Sequence, residues 1–275
     1  YDGPEPDGFS STEALVNYFQ RYVDRFQLPV QTGVDVTSVE RADDQHFVVK
    51  TRTDHGREES IASRAVVIAS GIQRVPKIPA LQAKLPSEIT QCHTADFRNP
   101  QGLPPGAILI VGSGQSGCQI TEDLLAAGRT VYLCTSKVGR VPRRYRGRDL
   151  VEWWVDMKFW DVTYASLEDK SISRAAQPQI SGIGRYGHTV SLQNLASKGV
   201  VILGRLLDID SSTLILGDEA AAHVHFADQF SQRVKDDIDA YLERMNITPP
   251  PLEHDYADVP DAEAKCASPL RQLHL

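Results

Sequence analysis

The chain is short of sulfur and has no long apolar run. Its four cysteines, Cys92, Cys118, Cys134 and Cys266, form no CxxC pair, which leaves a redox-active dithiol unsupported. They show no zinc-ligand spacing either, so no metal site is expected. No apolar stretch approaches the roughly 20 residues a bilayer-spanning helix needs, so no membrane partner is expected. The opening residues 1–7 are acidic and proline-rich and carry no signal-peptide pattern. Sparse, unpaired cysteine is the pattern of a reducing compartment, and a cytoplasmic location is expected. No Ser/His/Asp or paired-carboxylate constellation stands out, and no solenoid-type repeat is present. The chain starts at Tyr1 rather than at Met, and a central portion of a longer polypeptide is expected.

What is present is concentrated in residues 107–134. Residues 107–111 (AILIV) are wholly apolar, as a buried parallel strand requires. Gly112-Ser113-Gly114-Gln115-Ser116-Gly117 then matches GxGxxG. Residues 118–127 have helical spacing, with Ile120, Leu124 and Leu125 on one face, and Gly128 is placed as a C-terminal cap. Residues 130–134 read as the next strand. A lone GxGxxG is weak evidence; between a strand and a helix of one βαβ unit it is a dinucleotide fingerprint. Gly112 permits the tight turn, Gly114 lets a pyrophosphate approach the backbone, and Gly117 lets helix and strand pack closely. The helix N-terminus offers N–H groups and partial positive charge to the phosphates.

The end of the second strand selects the cofactor. An NAD site carries Asp or Glu there, about 20 residues beyond the first glycine, to hold the ribose 2′-hydroxyl. Here the positions are Cys134, Thr135, Ser136 and Lys137, and no carboxylate follows until Asp149. Lys137, Arg140, Arg143, Arg144, Arg146 and Arg148 crowd the same stretch. Cations and hydroxyls suit a 2′-phosphate, so NADPH is expected over NADH, with Ser136, Lys137 and either Arg140 or Arg143 as its ligands. A nucleic-acid surface is disfavoured by the net charge of −7.

Elsewhere the pattern is plainer. A helix is predicted from Ser10, Ser11 or Thr12 to about Phe26, ahead of Pro29. Strand-like runs at 30–39, 46–52 and 59–62, with turns at 43–44 and 54–56, predict a β-meander. Residues 65–71 (AVVIASG) read as a buried strand, and 72–105, with six prolines, as a crossing segment. Residues 150–167 hold all three tryptophans, read either as a helix packed on the sheet or as a ligand-pocket wall. Residues 182–187 (GIGRYG) match GxGxxG without a preceding strand, so they read as a decoy, with His188 as the one titratable group beside it. A helix over 189–197, a strand at 200–203, a hairpin of 206–209 with 213–216 and a helix over 228–245 follow. Residues 247–275 read as a linker.

Three features together resemble the flavin-containing monooxygenases and their two-domain relatives. Ala69-Ser70-Gly71 followed by Pro76 and Pro79 looks like that family's ATG…P…P signature with Ser for Thr. His93-Thr-Ala-Asp-Phe97 resembles the tail of its FxGxxxHxxx(F/Y) motif, although Ser87 and Ile89 stand where FxG belongs. GSGQSG resembles its NADPH fingerprint. The resemblance implies an α/β fold: a Rossmann-like NADPH-binding domain, a parallel sheet with flanking helices, plus an incomplete FAD-domain portion carrying the meander. The implied divisions are 1–105 for the rear of the FAD domain, 106–246 for the NADPH domain and 247–275 for the return linker. The family's first glycine fingerprint has no counterpart in this sequence.

The resemblance further implies that NADPH reduces FAD and that molecular oxygen then forms a flavin hydroperoxide, which oxygenates a small-molecule substrate. Ser70 and Gly71 would be FAD-binding, and Val36, by its place in the meander, would offer a backbone contact to the adenine. His93 would orient a ligand or brace the domain junction. A homodimer is left open. Two other readings stand beside this one: a flavin disulfide reductase, which shares the two-dinucleotide plan, and a non-catalytic NADPH-binding module.

Overall fold

A computed structural model of the chain describes residues 8–43, 45–71 and 75–275. The acidic opening 1–7, Asp44 of the first turn and the start of the crossing segment (72–74) lie outside the described residues. Residues 10–77 form one compact unit, and residues 78–275 with Gly8 and Phe9 form another. Residues 78–105 thus group with the glycine-turn unit.

In the first unit α1 spans Thr12–Phe26, and the Ser11 side chain accepts from Ala14 N at its N-terminus. The meander is β1 (Val34–Arg41), β2 (Phe47–Thr53) and β3 (Glu58–Ser63), antiparallel in the order β1-β2-β3. The register slips between Val36 and Ser38, as at a β-bulge. The strand expected over 65–71 does not form: Val67 and Ile68 are 88% and 81% exposed. An apolar run becomes a buried strand only with hydrogen-bonded neighbours, and none of the described strands pairs with it.

The second unit is built on a parallel sheet of β4 (Ile108–Val111), β5 (Val131–Cys134) and a later strand at Val201–Leu203, with β5 in the middle. Between β4 and β5 runs α2 (Gln115–Ala126). The basic stretch forms a small ribbon of β6 (Arg144–Tyr145) and β7 (Arg148–Asp149). It leads into α3 (Leu150–Asp156), and α4 (Leu192–Ser197) comes next. After β8, the strand at Val201–Leu203, a hairpin of β9 (Leu206–Asp210) and β10 (Thr213–Leu216) follows. The long helix α5 covers Ala220–Arg244, and β11 (Gln272–His274) joins the hairpin beside β10.

The core explains the order of layers. Cys118 and Leu124 of α2, Val131 and Leu133 of β5, Ile202 of β8 and Val224 of α5 pack as one cluster, each 1% exposed or less. A second cluster holds Trp153 and Trp154 of α3 against Ile238 and Leu242 of α5. The aromatic segment therefore packs on a helix rather than on the sheet, and its helix ends at Asp156. Trp160 lies beyond it, 60% exposed.

Residues 247–275 are tied in rather than trailing. Ser268 N bonds Ile202 O at 2.8 Å, Ala264 is buried, and Asp258 lies within a buried ionic network.

Candidate dinucleotide-binding site

The glycine turn sits at the carboxyl end of β4, and each glycine has a separate reason to be one. Gly112 has φ +111°, a region that side-chain-bearing residues avoid. Its N–H bonds Cys134 O at 2.9 Å, which continues the ladder to β5. A Cβ on Gly117 would lie 1.9 Å from Gly112 O. Helix and strand meet there at a distance only glycine allows. Gly114 is the N-cap of α2 in extended conformation, and a Cβ there would meet nothing within 4 Å. The first intrahelical bond is Cys118 N to Gly114 O, 3.0 Å. The N–H groups of Gln115, Ser116 and Gly117 therefore precede the helical ladder, as the first amides of a helix do.

The turn is braced on both sides. Ser113 is buried, and its hydroxyl accepts from Ser136 N at 3.0 Å and donates to Ser136 O at 3.3 Å. This pair joins the glycine turn to the loop after β5. On the other side, Gln115 Oε1 accepts from Ile180 N at 2.6 Å, and its amide donates to Ser181 O. Gln179 donates to Ser113 O, and Gln119 donates to Ser181 O at 3.1 Å. Residues 179–181, which lead into the GIGRYG loop, thus brace the α2 side of the turn. His188, at its end, lies 2.6 Å from Glu122 Oε1, and Ile183 N donates to Glu122 Oε2 at 3.0 Å. Burial pushes the Glu122 carboxyl up, but those two hydrogen bonds and the nearby Lys198 outweigh it and hold the group below the ordinary carboxylate value. His188 is committed to this brace.

The cations after β5 divide. Lys137 is exposed, and its Nζ lies 4.8 Å from the centre of the Phe226 ring. Arg140 is 1% exposed and paired with Asp228 at 2.8 Å and with Asp258; Lys235 shares Asp258. Arg143 is buried, paired with Asp149 and set over the Phe9 ring at 4.8 Å. Ser136 and Lys137 are thus next to the glycine turn, whereas the two arginines hold carboxylates inside the unit. The sequence conceals this, because Asp228 and Asp258 are distant along the chain.

In the first unit Val36 lies at the bulge of β1 and is half-exposed, while Ser70 and Gly71 are exposed and belong to no strand or helix. Gly71 has φ +72°, and a Cβ there would meet nothing within 4 Å. His93 caps a local turn: its Nδ1 accepts from Ala95 N at 3.1 Å, and its carbonyl accepts from Asp96 N and Phe97 N.

All four cysteines are free. Burial pushes the thiols of Cys118, Cys134 and Cys266 up to about 12, so none of the three is a thiolate near neutrality. Among the described residues no cluster of His, Cys, Asp and Glu could hold a metal ion, and no helix is long and apolar enough to cross a membrane.

Comparison with known proteins agrees with the geometry. The sequence profile described as pyridine nucleotide-disulphide oxidoreductase matches residues 6–201. The chain is 27% identical over 222 residues to the uncharacterized oxidoreductase CzcO of Bacillus subtilis, a match covering 80% of this chain and 60% of that one. It is 25% identical to the probable indole-3-pyruvate monooxygenase YUCCA10 of Arabidopsis thaliana, over 67% of this chain and 47% of that one. It is 27% identical to human flavin-containing monooxygenase 2, over 49% and 27%. The chain spans about half to three-fifths of the length of the first of these relatives. Among solved structures, the bacillithiol disulfide reductase Bdr of Bacillus cereus aligns over 80% of this chain and 69% of its own, at 13% identity and a TM-score of 0.41. That likeness is too loose to argue from. The resemblance to flavin-dependent oxygenating enzymes read from the three motifs holds, and so does the Rossmann-like α/β class.

Proposed function

The chain belongs to the pyridine nucleotide-disulphide oxidoreductase family, and on that premise we propose that its second unit binds NADPH for delivery of hydride to FAD. The single observation carrying this reading is the glycine turn: open space for a Cβ at Gly114, forced contact at Gly117 and first-turn N–H groups that precede the helical ladder. A diphosphate placed there would have its charge met by helix N–H donors, with no side chain at Gly114 to intervene. Ser136 and Lys137 would hold the 2′-phosphate, with a hydroxyl and a cation in place of the NAD-type carboxylate. Arg140 and Arg143 would serve this site indirectly by fixing the loop that carries those two residues.

FAD would lie against the first unit, with Val36, Ser70 and Gly71 contributing part of its site. The absence of a side chain at Gly71 suits close approach of a cofactor. When both cofactors are bound, they supply the redox chemistry, passing hydride from nicotinamide to flavin. The chain's own residues bind and orient. Ser113, Gln115 and Gln179 hold the turn, and Ser136 and Lys137 select the phosphorylated nucleotide. A small-molecule substrate and molecular oxygen complete the proposed reaction, as the names of the monooxygenase relatives suggest. The disulfide-reductase alternative has less support in these residues, whose four cysteines form no close pair.

Calorimetric titration of the chain with NADPH and NADH tests the reading, and Lys137→Glu sharpens it. NADPH is expected to bind more tightly. The substitution is expected to weaken NADPH by about 1–3 kcal/mol, the range of a lost charge-assisted hydrogen bond, with NADH little changed. Equal affinities in the unsubstituted chain would end the case for the 2′-phosphate site.

A further inference from the structure

A second group of polar side chains gathers where β5 and β8 end, beside the loop that carries Ser136 and Lys137. Thr135 is buried, its N–H bonds Leu203 O at 3.0 Å, and its hydroxyl donates to the same carbonyl at 2.7 Å. That donation uses the hydroxyl's one proton. Thr135 Oγ1 therefore accepts from His223 Nδ1, 2.9 Å away. The tautomer follows: neutral His223 carries its proton on Nδ1, and Nε2 is left as a bare acceptor.

His223 lies in the first turn of α5 and is 6% exposed. Charged groups from three elements bear on it: Lys137 after β5, Arg205 after β8, and Glu219 at the start of its own helix. Lys137 sits over Phe226, one turn along the same face of α5. Arg205 is exposed, and its carbonyl accepts from Gly217 N at 2.8 Å, which anchors its loop. Burial keeps the His223 ring below its ordinary value; Glu219 pulls the other way, and the two cations add to the burial effect.

We propose that Arg205 and His223 complete the 2′-phosphate cradle begun by Ser136 and Lys137, Arg205 as a direct ligand and His223 as a supporting ring that takes up a solvent proton when the phosphate binds. The inference rests on the dinucleotide reading of the glycine turn. Its electrostatics are simple. Lys137 and Arg205 both act against charging of the buried ring. A phosphate dianion between those cations offsets their repulsion, and the ring then accepts a proton on Nε2. Affinity for the phosphorylated nucleotide would therefore rise as pH falls toward the range where the ring titrates. Affinity for the unphosphorylated one would not.

The test is calorimetry of the whole 275-residue chain with NADP+ and NAD+, in two buffers of different ionisation heat, near pH 6.5. Expected are proton uptake with NADP+ and none with NAD+. Arg205→Gln should weaken NADP+ by roughly 10-fold or more, as a lost charged hydrogen bond does, while NAD+ is unchanged. His223→Asn keeps an amide donor toward Thr135 but no proton acceptor, so the uptake should vanish. Titration of the phosphate itself is common to both proteins and has the opposite sign, because cations favour its dianion. Arg205 is exposed, so its variant tests the cradle even where His223→Asn fails to fold. An unchanged NADP+ to NAD+ ratio in Arg205→Gln, or uptake persisting in His223→Asn, overturns this inference alone. Failure of the unsubstituted chain to bind either nucleotide overturns the dinucleotide reading beneath it.

Discussion

Two single-methyl additions in the glycine turn separate folding from binding. In Gly117→Ala the new Cβ would lie 1.9 Å from Gly112 O and 3.4 Å from Ile110 Cγ2. Real Cβ atoms come no closer than about 3.0 Å to such an atom, so helix and strand must part by roughly 1 Å. That movement is opposed by Cys118 and Leu124, which are fully buried in the core beneath the same helix. Overpacking of this kind costs about 1–3 kcal/mol, or roughly 2–12 °C in melting temperature for a unit of this size.

Gly114→Ala differs in every respect. The backbone there is extended at φ −72°, and the methyl meets open space. Stability should move by less than about 1 kcal/mol, the difference between glycine and alanine at an N-cap. The methyl would nevertheless occupy the space proposed for the diphosphate, so NADPH affinity should fall about 5- to 150-fold, which is 1–3 kcal/mol of steric conflict. Thermal melting and fluorescence titration with NADPH, run on both variants, distinguish the effects. Full NADPH affinity in Gly114→Ala would refute the placement of the diphosphate. Unaltered melting in Gly117→Ala would refute the packing argument.

Two further outcomes concern the brace and the buried ions. Arg140→Met leaves Asp228 and Asp258 buried with fewer partners. Urea unfolding followed by tryptophan fluorescence, which reports the second unit alone because Trp153, Trp154 and Trp160 all lie there, should show a loss of about 3–5 kcal/mol; a loss under about 1 kcal/mol would mean the network contributes little. The folded-state value of Glu122 lies below the unfolded one near 4.5, so its contribution is fully present above that pH and fades as pH falls through the folded value. Glu122→Gln should thus melt lower than the unsubstituted protein at pH 7, with the gap closing as pH falls below 4.5; a gap that stays constant through the acid range would show that the ionised carboxylate is not what stabilises the brace.

The second unit was legible where local pattern and tertiary demand coincide. The βαβ unit was readable because an apolar run, a glycine spacing and a helical periodicity meet within thirty residues, and β5 and β8 fell within a residue of their expected limits. The helix expected from 228 begins at Ala220, because Ala220 to His223 carry no apolar periodicity and are held by Val224, which packs in the core, and by the buried Ala227. α4 starts at Leu192 rather than 189, where Ser191 accepts from Asn194 N. β11 left no trace, since a three-residue strand is specified by its partner β10. Residues 65–71 erred the other way: composition alone cannot supply the neighbouring strands that an apolar run requires. At the site, glycines were readable because backbone sterics demand them. Thr135, Gln179 and His223 were not, because their roles depend on chain segments that meet only in three dimensions.

The brace around Ser113 has an effect on how a ligand would be received. Its carbonyl, its hydroxyl and the neighbouring Gln115 amide are already engaged by residues 136 and 179–181. The loop is thus held by the fold itself, and less backbone entropy has to be surrendered on docking than by an unbraced turn. Encounter with the nucleotide should accordingly resemble insertion into a rigid socket, with association rates governed by diffusion and charge steering rather than by a slow closing motion.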